Sequence, residues 1–133
     1  MRITLALAAS MLLAATPALA QDRPGESPPV TFPEGPRGAL ARQWVEVYNG
    51  FSIPNYRKFM ETYAEDGNTP ISARLTRYGD MQGNLGKLTV LEAKETDEGI
   101  ELRVRTDHCD TGIITVMISP KAPYKFQAVR VEI

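Results

Sequence analysis

Between Gly83 and Gly86 the period of the sequence changes, and that change restricts the fold more than any other feature. Before it, apolar residues recur every three or four positions, the spacing of a helix face; after it, they alternate, the spacing of a strand. The first helix is expected to start near Pro36, a first-turn position where a missing N–H costs nothing. Its apolar stripe is Leu40, Trp44, Val47 and Tyr48. Asn49-Gly50 closes it, with Gly50 expected in the left-handed conformation. The second helix follows at once, with Ser52 as N-cap, Pro54 in the first turn, and Tyr56, Phe59, Met60 and Tyr63 on its inner face. Asp66-Gly67-Asn68 ends it. Thr69-Pro70 signals a third, shorter helix carrying Ile71, Leu75 and Tyr78.

Residues 87–94 read as a strand and Thr96-Asp97-Glu98-Gly99 as a turn. Ile100, Leu102, Val104 and Thr106 then alternate with Glu101, Arg103, Arg105 and Asp107, the clearest strand in the chain. Residues 113–118 are apolar or Thr throughout, which predicts a central strand covered on both faces. After Pro120-Lys121-Ala122-Pro123, residues 124–133 form a closing strand with Val129, Val131 and Ile133 on one face. Four strands joined by short turns make an antiparallel meander. Three amphipathic helices must bury their faces, and the sheet is the only surface large enough, so the fold class is α+β.

The first twenty residues are expected to be absent from the working protein. Arg2 is a short positive n-region, residues 3–13 are apolar, and Ala18-Leu19-Ala20 is a cleavage site, so 1–20 reads as a secretory signal peptide. The apolar run is too short for a membrane span of about 20 residues. Expected localisation is therefore periplasmic or extracellular. Residues 21–35 contain Pro24, Pro28, Pro29 and Pro33 and predict an extended linker, ordered only where Val30 or Phe32 docks. The remaining stretch, 36–133, is the expected domain.

Loss of Arg2 leaves 14 basic and 16 acidic residues in 113, a formal net charge of −2 with the signs interspersed. Such a balance supplies neither the basic stripe of a nucleic-acid binder nor a polybasic membrane patch. Cys109 is the only cysteine, so no intramolecular disulfide can form.

Candidate chemistry is sparse. Asp107-His108-Cys109-Asp110 holds the only histidine and the only cysteine. Adjacent residues cannot all face one ion, and no spaced second pair exists, so no metal site is expected. Neighbours at a strand end point to opposite faces, so His108 is poorly placed to activate Cys109. A polar hairpin turn is the ordinary reading. No serine lies in a Gly-x-Ser-x-Gly elbow. Asp107 or His108 with Tyr48 or Tyr78 would supply an acid–base pair with an oxyanion donor. Trp44, Tyr48, Phe59 and Tyr63 either line an apolar pocket or are the core itself. Arg103 and Arg105 share one strand face and make either ordinary cross-strand ion pairs or a partner-binding patch. The candidate ligand-binding residues are thus Trp44, Tyr48, Tyr78, Arg103 and Arg105, with no catalytic residue and no cofactor assigned.

The stretch Gly38-Ala39-Leu40-Ala41-Arg42-Gln43-Trp44-Val45-Glu46-Val47-Tyr48-Asn49-Gly50 resembles the opening helix of the nuclear-transport-factor-2-like (cystatin-like, SnoaL-like) superfamily. It is especially similar to the module ahead of the catalytic domain in some secreted bacterial serine hydrolases and C-terminal-processing peptidases. By order of elements the resemblance covers residues 34–133. It implies a curved sheet wrapped around the helices as a cone, the helices lying on its concave face, shallower here because the strand many relatives place between the second and third helices is absent. It also implies binding of small apolar molecules, and in some relatives isomerase, cyclase or dehydratase activity. No hydrolase or peptidase sequence follows Ile133, so a separate chain is expected to supply that partner. The expected function is a non-enzymatic binding or interaction module, working as a homodimer through the sheet face or as an accessory to a periplasmic hydrolase or peptidase. The alternative is a small SnoaL-type acid–base enzyme. For the second face of the central strand, the expected cover is a dimer partner or the N-terminal linker.

Overall fold

The computed structural model describes residues 30–67 and 69–133. The expected signal peptide and residues 21–29 of the expected linker lie outside the described residues. Three helices, α1 (Pro36–Asn49), α2 (Ile53–Tyr63) and α3 (Ile71–Leu85), precede four strands, β1 (Leu88–Glu95), β2 (Gly99–Thr106), β3 (Thr111–Ile118) and β4 (Phe126–Glu132). The strands pair in the order β1-β2-β3-β4, each antiparallel to the next. The fold is therefore α+β, with an antiparallel sheet that does not close. Among the described residues no helix is long and apolar enough to cross a membrane.

Alternation decides which side of the sheet is buried. Ile100, Leu102 and Val104 of β2 and Ile114, Val116 and Ile118 of β3 are fully buried and share one face. They join Leu40, Trp44, Tyr48, Tyr56, Phe59 and Tyr78 from the helices in one core. In β1 the alternation is interrupted. A bulge between Val90 and Glu92 leaves Leu91 without a register partner, so Val90 and Ala93 both face Val104 and Leu102. Val129 and Val131 of β4 pair with Val116 and Ile114, but Ile133 lies past the strand and is exposed.

Two local expectations are corrected. Gly50 is right-handed (φ −74°), and Phe51 takes the positive φ of 51°. The reason is that α1 keeps its hydrogen-bond ladder one step longer: Gly50 N–H still reaches the Glu46 and Val47 carbonyls, which pushes the reversal onto Phe51. The third helix is the longest of the three, at 15 residues. Gly79 and Gly83 face open space and cost only propensity, while the buried stripe of Arg74, Tyr78, Met81 and Leu85 runs on to Gly86. Gly86 is the true stop, at φ 75°, where a Cβ would press within 2.7 Å of the Asp107 Cβ. Ahead of α1, part of the expected linker lies against the domain. Phe32 packs against the core, and the Pro33 carbonyl lies so close to Gly38 that any side chain there would collide with it.

The outer sheet face carries a charged ladder. Glu92 pairs with Arg103 (3.3 Å), Lys94 with Glu101 (3.3 Å), and Arg130 makes a double contact with Glu98 at 2.7 and 2.8 Å. Thr115 sits between Glu101 and Arg130 in register and is only 1 % exposed within the single chain. Ile113 and Met117 beside it are half-buried. Thr115 is thus covered within the single chain, while Ile113 and Met117 on the same face are covered only in part.

Two side chains join the helices to the sheet. Asn49 donates to the Leu88 carbonyl (2.8 Å) and accepts from the Leu88 N–H (2.9 Å), so its amide pairs with β1 as a strand neighbour would. Arg37, 8 % exposed, donates to Glu95 Oε2 (3.2 Å) and to the carbonyls of Thr96 (3.1 Å), Asp97 (3.1 Å) and Ile118 (2.8 Å). It ties the start of α1 to the β1–β2 turn and to the end of β3.

Truncating Arg37 removes a buried, charge-assisted donor from three carbonyls. Arg37→Met should cost about 3 kcal/mol in urea unfolding, whereas Glu95→Gln, at a half-exposed partner, should cost less than about 1 kcal/mol. Equal losses would show that the carbonyls are not the important acceptors. At the α1–α2 junction, Phe51→Gly should raise stability by about 1 kcal/mol by relieving a left-handed non-glycine residue; Gly50→Ala should be tolerated, because its φ is already helical.

Candidate ligand-binding cleft

The helical hairpin of α2 and α3 meets the sheet at β4. Phe126, the first residue of β4, is buried there. Ala64, just past α2, bridges to it, and the Glu65 N–H donates to the Phe126 carbonyl (2.9 Å). From α3, Arg74 donates to the Gln127 carbonyl (2.9 Å) and holds its guanidinium carbon 5.6 Å from the centre of the Phe126 ring. Beyond these anchors the seam opens into a cleft of about 250 Å³, near the small end of ordinary ligand pockets. Tyr56, Met60, Met81, Phe126 and Val129 line it together with Arg74 and Arg77, whose guanidinium groups are its charged members. No Asp, Glu, His, Cys or Lys lines it.

Tyr56 is placed by a stack of aromatics. Its ring lies 3.8 Å from that of Tyr78 at 8°, and its hydroxyl accepts from the Trp44 indole N–H (2.9 Å). Burial pushes its pKa up to about 12; the Trp44 hydrogen bond and the positive charges of Arg74 and Arg77 act in the opposite direction and do not overcome it. Tyr56 therefore keeps its proton at neutral pH and is no base.

Two further cavities adjoin. One of about 390 Å³ shares Met60, Thr69 and Arg74 and carries Glu61, Glu65 and Asp66 along the α2–α3 connection. The other, of about 130 Å³, shares Arg77 and Met81 and continues the seam between α3 and Val131 of β4.

The residues singled out from sequence lie elsewhere. Trp44, Tyr48 and Tyr78 are fully buried and line none of these three cavities. Their polar atoms are satisfied internally: the Tyr48 hydroxyl donates to the Gly86 carbonyl (2.9 Å) and the Tyr78 hydroxyl to the Tyr48 carbonyl (3.3 Å). Burial raises the pKa of both, and Tyr78, Tyr56 and Asp107 push Tyr48 further in the same direction. They are placed as core. Arg103 and Arg105 are exposed on the outer sheet face, and Arg103 pairs with Glu92.

The turn after β2 is also accounted for by its own hydrogen bonds. Asp107 accepts from the Lys87 N–H (3.1 Å), the His108 N–H donates to the Leu85 carbonyl (3.1 Å), and Thr106 Oγ1 closes a ring with the backbone of Cys109. Asp107 and His108 are exposed and Cys109 is half-buried. The structure does not bring Asp107 or His108 to the α2–α3–β4 cleft. Among the described residues, no group of three or more His, Cys, Asp and Glu side chains is placed to hold a metal.

Arg74 and Arg77 are the residues that sequence reasoning passed over. A signal was present: Arg74 falls on the buried stripe of α3 between Ile71 and Tyr78, where a charge needs a reason. Compared with protein-family models, curated proteins and solved structures, the chain matches none.

The buried phenols set an alkaline limit. Their folded pKa values lie above the unfolded value of about 10, so the unfolded chain loses protons first as pH rises. Stability is intact below pH ~10 and falls above it, by up to about 4 kcal/mol per pH unit while all three tyrosines are linked. Phenolate absorbance from Tyr48, Tyr56 and Tyr78 should therefore appear together with loss of helical circular dichroism. Ionisation of all three in a chain that stays folded would contradict this.

Proposed function

We propose that the chain is an exported, non-enzymatic module that binds a small, largely apolar molecule at the α2–α3–β4 seam. One observation carries the reading: the cleft pairs apolar wall with fixed hydrogen-bond donors and offers no group that titrates near neutrality. General acid–base chemistry needs such a group within hydrogen-bond reach of substrate, and Tyr56 holds its proton too tightly. The SnoaL-type enzyme remains the alternative reading, and its acid–base candidates Asp107 and His108 sit on an exposed turn. Within this proposal the helices lie on the concave side of a curved sheet, as in the cone of the nuclear-transport-factor-2-like superfamily; the single core shared by all three helices and one sheet face supports it. The outer sheet face, with its ladder of ion pairs, is the surface left for a second copy or for a hydrolase or peptidase partner.

Ala73 lines the cleft from the exposed side of α3. Ala73→Trp should fill it without disturbing the core. A ligand at a hundred times its Kd stabilises a protein by about 2.7 kcal/mol, so apolar small molecules that bind here should raise Tm in the parent chain and fail to do so in Ala73→Trp. His108→Ala should leave those shifts intact. Shifts that survive Ala73→Trp, or vanish in His108→Ala, would overturn the reading.

A further inference from the structure

The two arginines on the cleft wall have no acid to answer them. Arg74 and Arg77 lie one helical turn apart on α3 and line the same cleft. Among the described residues neither is within salt-bridge distance of a carboxylate. The Glu61, Glu65 and Asp66 side chains line the adjoining cavity and not this cleft, and Glu65 already accepts from the Gln127 amide (3.2 Å). Elsewhere in the fold, a deeply set arginine is more heavily used: Arg37 spends its two terminal nitrogens on four acceptors, and only its Nε has no partner. Arg74 is as deeply set, at 8 % exposed, yet among the described residues it makes one hydrogen bond, to Gln127. That bond and the Phe126 ring fix the guanidinium in place, so its remaining donors are pre-aimed and lose little freedom when they engage a ligand.

Resting on the reading of this cleft as a ligand site, we infer that its ligand is an amphiphile: a hydrocarbon body against Met60, Met81 and Val129, ending in one anionic oxyacid head between Arg74 and Arg77. Charge complementarity selects the head, because two positive groups border the cleft and no carboxylate lines it to repel an anion. The planar fork of arginine matches the oxygens of a carboxylate or a phosphate monoester. The apolar wall selects the body, and a polar or multiply charged molecule would leave that wall wet.

Octanoate, octyl phosphate and octanol share one body and differ in the head, so their binding to the full chain can be compared by calorimetry. At least one of the two anions should bind ten-fold or more tighter than octanol, and the tighter one identifies the head. Arg77→Met, at an exposed position, should erase that advantage, so that both anions bind the variant no tighter than octanol does; Arg77→Lys should keep part of it. High salt should weaken the anion and not the alcohol. If octanol binds as well as both anions, or the preference survives Arg77→Met, the inference about the head is wrong while the cleft stands. If none of the three binds, and Ala73→Trp likewise changes nothing, the ligand-site reading falls with it.

Discussion

Filling of the core by aromatic side chains constrains everything else in this structure. Trp44, Tyr48, Tyr56 and Tyr78 come from all three helices and touch ring to ring, at centroid separations of 5.3 Å for Trp44–Tyr48, 5.6 Å for Tyr48–Tyr78 and 3.8 Å for Tyr56–Tyr78. A set of this kind is acceptable in a core only if each polar tip finds a partner. Here the indole N–H meets a phenol, and the Tyr48 and Tyr78 phenols meet carbonyls. Those bonds do more than satisfy atoms. The Tyr48 tip reaches Gly86, where the helical half of the chain gives way to the sheet. The space between the helices and the sheet is filled by these rings, and the cleft opens at the seam where β4 meets α2 and α3.

Much of the architecture was legible because hydrophobic period reports burial directly. The switch from a three-to-four repeat to alternation near Gly86 announced helices followed by strands, and Ser52 announced the start of α2, where its Oγ accepts from the Asn55 N–H. What escaped was set by contacts between distant segments. The bulge at Leu91 and the reversal carried by Phe51 depend on what each segment meets in space. Local rules had favoured Gly50 for the reversal and a shorter third helix, since glycine is where a chain bends most easily. An extended hydrogen-bond ladder and a continuous buried stripe overruled them.

The site was less legible than the fold for a related reason. Rarity drew attention to the one histidine and the one cysteine, and strand alternation drew it to Arg103 and Arg105. Neither property measures enclosure. Arg74 and Arg77 are ordinary in composition, and their interest comes from α3 carrying them against Phe126 and the edge of β4. The Tyr-Asn end of α1 was legible as a motif, but its chemistry is architectural: Tyr48 and Asn49 both hydrogen-bond into the helix-to-sheet junction at Gly86 and Leu88.

Arg37 lies near the beginning of the folded region, and one of its acceptors, the Ile118 carbonyl, comes 81 positions later. The full set of Arg37 acceptors on α1 is therefore present only once β3 has been made. The helical hairpin and the meander can each assemble from near neighbours, but the join between them is an end-to-end closure. A chain stalled or clipped before its third strand would keep the anchors of α1 at Gly86, Leu88 and the β1–β2 turn but lack the Ile118 carbonyl, the shortest of the Arg37 contacts.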